Sequence, residues 1–244
     1  VYVNNEVRVA SLFRGVSRED FDARVRRMFF EVKMAWKDVP FEVANDGEVT
    51  ALAGSMSLGD GAVLGVSMGT SQAGGYVTPQ GTITNWLNEL AFAPIDYAPR
   101  AHVDEWSRDG GVGAQYFSQQ AVGRLTGPAG ITLPAEIPLP EKLVAVQELM
   151  EKGDSRALEI YNTIGTYFGY AIAHYADFYE IRHLLLLGRV LSGKGGDRII
   201  EVAQQVLADE FPELAEKVKV HTPGEAEKRH GQAVAAASLP AIAG

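Results

Sequence analysis

Phe41–Gly54 reads Phe-Glu-Val-Ala-Asn-Asp-Gly-Glu-Val-Thr-Ala-Leu-Ala-Gly, and Val63–Val77 reads Val-Leu-Gly-Val-Ser-Met-Gly-Thr-Ser-Gln-Ala-Gly-Gly-Tyr-Val. Two short apolar strands each run into a polar elbow. Asn45-Asp46-Gly47 follows the first, and Gly69-Thr70 with Gly74-Gly75 follows the second. A carboxylate at a strand end can accept a proton, and a Gly/Thr turn lets backbone N–H groups approach a phosphate, so the pair suggests phosphoryl transfer. By itself Asn-Asp-Gly reads equally as an ordinary turn or a helix N-cap.

Upstream, Val1–Val3 and Val7–Phe13 around Asn4-Asn5 predict a β-hairpin. Ser17 is placed to cap a helix whose first turn carries Glu19 and Asp20. Phe21, Val25, Met28, Phe29, Val32 and Trp36 share one helical face, which predicts an amphipathic helix over Arg18 to Trp36. Strand Phe41 to Ala44 follows, then a short Ala-rich helix from Val49 to Met56.

Downstream, Ala62 to Ser67 and Gly75 to Val77 predict strands, with a reversal at Pro79-Gln80-Gly81. Residues 84–140 are irregular apart from one helix, Ala114 to Leu125, and such long segments are often functional. Helices are predicted over Glu141 to Glu151 and Ser155 to Phe178, the second burying Leu158, Tyr161, Ile164, Phe168, Ile172 and Tyr175. Gly165 and Gly169, one turn apart, either admit a second backbone closely or are merely tolerated. His183 to Leu187 reads as a strand covered on both faces. Asp197 can cap a helix through Ala208, Lys217 to His221 a last strand, and Gly231 to Leu239 a final helix. Strands and helices alternating at this spacing argue for an α/β protein.

The 244 residues carry a net charge of −9 and are 46% hydrophobic, enough for a sizeable core. No Lys/Arg cluster is present to displace counterions from a polyanion, which argues against a nucleic-acid partner. The absence of Cys removes disulfides, thiolate metal sites and a cysteine nucleophile. No signal peptide or membrane span is visible, so the expected location is cytoplasmic and no membrane partner is expected. The histidines at 102, 174, 183, 221 and 230 show no metal-ligand spacing and are read as surface or packed residues. Ser55 and Ser57 lack a nucleophile elbow, and Gly193-Lys194-Gly195-Gly196 is not a Walker A loop. Trp86, Tyr97, Trp106 and Tyr116 are read either as the lining of a sugar site or as loop anchors.

The order Asn-Asp-Gly-Glu-Val-Thr-Ala-Leu, then Leu-Gly-Val-Ser-Met-Gly-Thr-Ser-Gln-Ala-Gly-Gly-Tyr-Val, then Asn-Glu-Leu-Ala-Phe resembles the ROK sugar kinases of the hexokinase/actin-like ATPase superfamily. Leu184 to Gly196 is similar to the family's adenosine-side strand and loop, and Gly231 to Ala237 to its closing helix. The resemblance covers roughly residues 40–244, the first 40 resembling the tail of the small domain. It implies an α/β ribonuclease-H-like (actin/hexokinase-like ATPase) domain, a mixed sheet flanked by helices, plus the remnant of a second such domain. Residues 1–45 would be the remainder of the small domain and 46–244 the large kinase-like domain, the two closing over the substrates.

The same resemblance implies ATP-dependent phosphorylation of a sugar hydroxyl, with ATP and Mg²⁺ as cofactors and sugar and nucleotide as partners; a homo-oligomer is compatible with it. Asp46 would be the general base, since the attacking hydroxyl needs an acceptor ionised at neutral pH. Asn45 and Glu89 would bind sugar hydroxyls. Gly69 and Thr70 would meet the β/γ-phosphates, with Gly74 and Gly75 allowing the tight hairpin. Gly188 and Gly193 would pack against adenine and ribose, or simply end a strand. A sugar-sensing transcriptional regulator of the family, or an inactive kinase homologue, would share Asn45, Asp46 and Glu89.

Three departures stand out. The family's Cys-rich zinc motif is replaced by Arg108-Asp109-Gly110-Gly111-Val112-Gly113-Ala114-Gln115, which excludes zinc through that motif and leaves the loop to be held by packing. The His that follows the sugar-binding Glu is Phe92, which removes a hydrogen-bond partner. The opening Asp-x-Gly-Gly-Thr phosphate hairpin is absent and the chain starts at Val1, which is read as truncation; with half the phosphate clamp missing, little kinase activity is expected of these residues alone.

Overall fold

The computed structural model describes residues 2–3, 5–8, 13, 15–37, 43–84, 86–134, 136–222 and 233–238. Phe41 and Glu42 of the expected strand Phe41 to Ala44, residues 9–12 of the expected strand Val7 to Phe13, and Gly231, Gln232 and Leu239 of the expected final helix lie outside the described residues, while Val43 and Ala44 are described and belong to no strand. Two compact units emerge. One comprises residues 1–63, 75–88 and 224–244, the other 64–74 and 89–223.

In the first unit, β1 (Tyr2–Val3) and β2 (Glu6–Val7) pair antiparallel in the register Tyr2↔Val7 and Val3↔Glu6, around Asn5 at φ 61°. Ser17 caps α1 (Arg18–Asp20) by accepting the Asp20 N–H at 3.1 Å. The single helix expected over residues 18–36 is broken. Phe21–Val25 forms a π-helical turn, closed by the Arg26 N–H on the Phe21 carbonyl at 2.9 Å, before α2 (Met28–Ala35) begins. The cause is tertiary. The Arg26 carbonyl, which a continuous helix would use, accepts instead from the Val7 N–H at 2.9 Å. Only Val25 of the predicted stripe is buried, and Trp36 is 57% exposed.

α3 (Asp46–Leu58) starts earlier than the Ala-rich run suggested and ends at Gly59, whose φ of 66° suits a residue without Cβ. It buries Ala51, Leu52 and Ala53. Gly75 crosses its first turn so closely that a Cβ there would stand 2.0 Å from the Gly47 carbonyl oxygen. The predicted reversal at Pro79-Gln80 closes through the Gly81 N–H on the Thr78 carbonyl at 2.9 Å.

The main sheet has the order β4-β3-β5-β6, from β3 (Val63–Met68), β4 (Gln72–Val77), β5 (His183–Leu187) and β6 (Lys219–His221). β3 and β4 contribute residues to both units. Their three-residue link permits only antiparallel pairing, whereas β5 and β6 run parallel with Leu184 opposite Val220, so the sheet is mixed. All five residues of β5 are buried, as expected of a covered strand.

In the larger unit follow α4 (Gln119–Leu125), capped by Ser118, then α5 (Leu139–Glu151), α6 (Ser155–Ala176), α7 (Gly193–Glu210) and α8 (Pro212–Lys217). The stripe Tyr161, Ile164, Phe168, Ile172 and Tyr175 of α6 is buried. Gly165 and Gly169 admit a second helix: a Cβ on them would stand 2.8 Å from Val202 Cβ and 2.6 Å from Val206 Cβ of α7. Asp197 lies inside α7 and caps nothing, because the glycine-rich run is itself the first helical turn. Gly195 lies against the Tyr161 ring and Gly196 against the Leu191 carbonyl, leaving no room for side chains. Residues 233–238 form a last helical stretch. No described helix is long and apolar enough to cross a membrane.

Candidate functional site

Asn45 is the N-cap residue of α3, extended at φ −72° and ψ 150°, and Asp46 is the first helical residue. The Asp46 side chain is exposed; its Oδ1 accepts the Gly47 N–H at 2.9 Å, and its backbone carbonyl accepts from the Thr50 hydroxyl at 2.8 Å. A carboxylate at a helix N-terminus is favoured by the dipole and open to a substrate proton.

One turn further on is a residue the sequence did not single out. Glu48 is 4% exposed, accepts the Asn88 amide N–H on Oε1 at 3.2 Å, and leaves Oε2 without a hydrogen bond among the described residues. Burial pushes its carboxyl above the ordinary range, against hydrogen bonds from Asn88 and Asn45. Asn88 also donates to the Thr84 hydroxyl at 2.8 Å. The sequence holds no signal for this burial, since only the crossing of β4 over α3 encloses that face.

In the larger unit, Gly69 and Thr70 form the β3–β4 turn. The Gly69 N–H is spent within it, on the Ser71 carbonyl at 3.0 Å, and the Gly69 carbonyl accepts the Gln119 N–H at 2.9 Å. Thr70 and Ser71 are exposed, and their hydroxyls make no hydrogen bond among the described residues. The donors this turn offers a phosphate are therefore those of Thr70 and Ser71. Gly74 lies within β4, and Gly75 serves the close approach to α3 rather than the turn.

Gly188 follows β5 at φ 103°, and a Cβ on it would stand 2.3 Å from the Met68 carbonyl oxygen, so the ends of β5 and β3 meet at backbone distance. Gly193 opens α7 at φ 64°. The N-terminus of that helix is already filled: Glu151 Oε1 accepts the Lys194 N–H at 3.2 Å, and Lys194 Nζ lies 3.2 Å from Glu151 Oε2. This end offers a surface for an uncharged group rather than for a phosphate.

Glu89, half-buried, precedes a 3₁₀ turn (Leu90–Phe92). Phe92 stacks on Trp106 with centroids 5.1 Å apart. Of the other aromatic candidates, Tyr116 is a loop anchor, its hydroxyl donating to Asp96 Oδ2 at 2.5 Å, while Trp86 and Tyr97 are exposed.

The loop at the place of the zinc motif is held by hydrogen bonds rather than by packing alone. Asp104, 4% exposed, accepts the Trp106 N–H at 3.0 Å and the Ser107 N–H at 2.8 Å on Oδ2, and Gln115 Nε2 at 2.8 Å on Oδ1. Burial pushes this carboxyl up, but those donors more than offset it and hold it below the ordinary range. No group of three or more His, Asp or Glu side chains among the described residues is arranged to hold a metal ion. His183, read as surface or packed, is buried, with Nδ1 2.9 Å from Nε2 of His221.

A mixed sheet flanked by helices, with these elbows at its strand ends, is the architecture of the hexokinase/actin-like ATPases. No protein-family model matches the chain, and no curated protein sequence does. Solved structures do. The chain is similar to a ROK hexokinase from Thermus thermophilus, with TM-score 0.70 and 18% identity over 91% of this chain and 72% of that one. It is similar to a ROK family glucokinase from Streptomyces griseus in complex with glucose and AMPPNP, with TM-score 0.64 and 18% identity over 86% of this chain and 72% of that one. It is also similar to a ROK family transcriptional regulator, a homologue of the E. coli MLC protein, with TM-score 0.66 and 19% identity over 91% of this chain and 59% of that one. The chain has the fold of the ROK family sugar kinases.

Proposed function

We propose that this chain carries the sugar site and a phosphate-binding turn of an ATP-dependent kinase that phosphorylates a sugar hydroxyl, a hexose as in the glucokinases. The observation that carries the reading is Asp46, an exposed carboxylate at the start of a 13-residue helix in a fold shared with ROK sugar kinases. Asp46 takes the proton that the sugar hydroxyl sheds, and Asn45 and Glu89 orient the sugar. Bound ATP supplies the phosphoryl group, with Mg²⁺ carried on its phosphates. The Gly69-Thr70 turn fits that role through the unengaged Thr70 hydroxyl, and Gly188 and Gly193 fit the adenosine side, where Glu151 already occupies the helix N-terminus. On this reading residues 1–45 belong with a small N-terminal domain and 46–244 form the kinase-like domain, a division distinct from compactness.

The test is calorimetry of glucose and AMPPNP with the purified chain, beside a coupled assay for sugar-dependent ADP formation. Glucose binding weakened by Glu89→Gln is expected, and Asp46→Asn lowers any phosphotransfer rate by a factor of about 10³ without shifting the melting temperature. Absence of hexose binding at millimolar concentration overturns the reading. The likeness to a ROK regulator favours a second reading, a sugar sensor with the same Asn45, Asp46 and Glu89. Because little phosphotransfer is expected of these residues alone, nucleotide binding decides: sugar and AMPPNP both bound supports the kinase, and sugar bound without AMPPNP selects the sensor or an inactive homologue.

A further inference from the structure

The larger unit holds a second cavity of about 360 Å³ that none of these roles uses. Its polar lining is Asp96, Arg100, His102, Tyr116, Arg124, Thr163 and Tyr167, brought together by α4 and the turn ahead of it, α6 and the loop before Val103. Arg124 is half-buried, its guanidinium carbon 5.2 Å from the centroid of the Tyr116 ring. It donates to the Gln115 carbonyl at 2.7 Å and to Gln115 Oε1 at 3.4 Å, and its other N–H groups have no acceptor among the described residues. Among the described residues no carboxylate lies within ion-pair distance of it or of the exposed Arg100.

The one acid in the cavity is already satisfied. Asp96 accepts from the hydroxyls of Tyr116 at 2.5 Å and Tyr167 at 3.5 Å and from the Ala98 N–H at 2.9 Å, which hold its carboxyl below the ordinary range; its single charge offsets Arg124 in part and leaves the cavity one guanidinium in excess. A half-buried guanidinium is costly unless anions complete it, and here the exposed Arg100 lines the same cavity as Arg124 against the one carboxylate of Asp96, in a protein of net charge −9. His102 is held below its ordinary value by burial and by Arg124, so it adds a neutral hydrogen-bonding group.

We propose that this cavity binds a small phosphomonoester. Two planar guanidinium forks match the terminal oxygens of a dianionic phosphate, which can accept from both at once. The volume falls within the range of small-molecule pockets and exceeds what a bare anion fills, and the apolar sides of Leu125 and Ile164 suit the carbon skeleton of an ester. The site is independent of the sugar-kinase reading, because its lining excludes every residue named there.

Calorimetry of the 244-residue protein with glycerol 1-phosphate, inorganic phosphate and glycerol at low salt tests it. The ester is expected to bind, inorganic phosphate more weakly, and glycerol not at all. Arg100→Ala and Arg124→Lys should each weaken the ester about tenfold, the second because a point charge cannot fork. Asp46→Asn should leave binding unchanged. Should Arg124→Lys melt early, Arg100→Ala decides, its side chain being exposed and unpartnered. No binding of the ester, inorganic phosphate binding as tightly as the ester, or an unaltered Arg100→Ala overturns the proposal.

Discussion

Replacing Gly75 by alanine puts a Cβ 2.0 Å from the Gly47 oxygen, 2.3 Å from its carbonyl carbon and 2.6 Å from the Glu48 amide nitrogen. All three atoms are backbone, so no rotamer change relieves the overlap. The first turn of α3 must retreat by about 1 Å to restore ordinary contact. Overpacking of a fixed neighbour costs about 1–3 kcal/mol, and a backbone obstacle belongs at the upper end. Gly69→Ala is the matched control. Its Cβ would meet nothing closer than 3.7 Å, so a change within about 0.5 kcal/mol is expected. Urea unfolding followed by circular dichroism reads both. With a slope of about 2–3 kcal/mol/M, the Gly75→Ala midpoint should fall by about 1 M while Gly69→Ala stays in place. Because the displaced turn carries Asn45 and Asp46, Gly75→Ala should also lose glucose binding. Equal midpoints for the two variants would refute the close approach as the reason for this glycine.

Two further outcomes follow from buried carboxylates. Asp104→Ala strands the Trp106 and Ser107 N–H groups and the Gln115 amide, and should cost about 3 kcal/mol by thermal melting. A chelator should leave the wild-type melt unchanged, and a melt lowered by EDTA would contradict a loop held by Asp104. Burial raises the folded-state pKa of Glu48 above the ordinary carboxylate value, so the folded state keeps its proton longer than the unfolded chain. Its contribution is present in full below that value and is lost as pH rises through the folded pKa. Glu48→Gln should therefore match wild type in acid and exceed it at pH 8, as read from urea midpoints; a wild type that gains on the variant toward pH 8 would reverse the sign.

Much of the architecture was legible because it is local. The stripe from Tyr161 to Tyr175 repeats at helical spacing, and the apolar run Leu184 to Leu187 of β5 admits burial on both faces. The Ser17 cap and the Pro79-Gln80 reversal rest on side chains and dihedrals within a few residues. What misled was equally specific. A continuous apolar face from Phe21 to Trp36 argued for one helix, yet the Arg26 carbonyl turns to Val7, far away in sequence. Asp197 had the chemistry of a cap, but Glu151 reaches the helix end first from α5.

The candidate site divides the same way. That Asn45 and Asp46 stand at a helix start, with the acid in solvent, is a property of a short polar stretch ahead of an Ala-rich run and needs nothing distant. That Glu48 is enclosed, that Gly75 admits no side chain, and that Asp104 is buried under hydrogen bonds from its own loop and from Gln115 depended on how those segments pack. Sequence by itself determined the elements and their caps, because hydrogen bonding and apolar period act over a turn or two of chain. Tertiary structure alone decided which glycines are indispensable and which carboxylates are hidden, because close approach and desolvation are set by whatever packs across the gap.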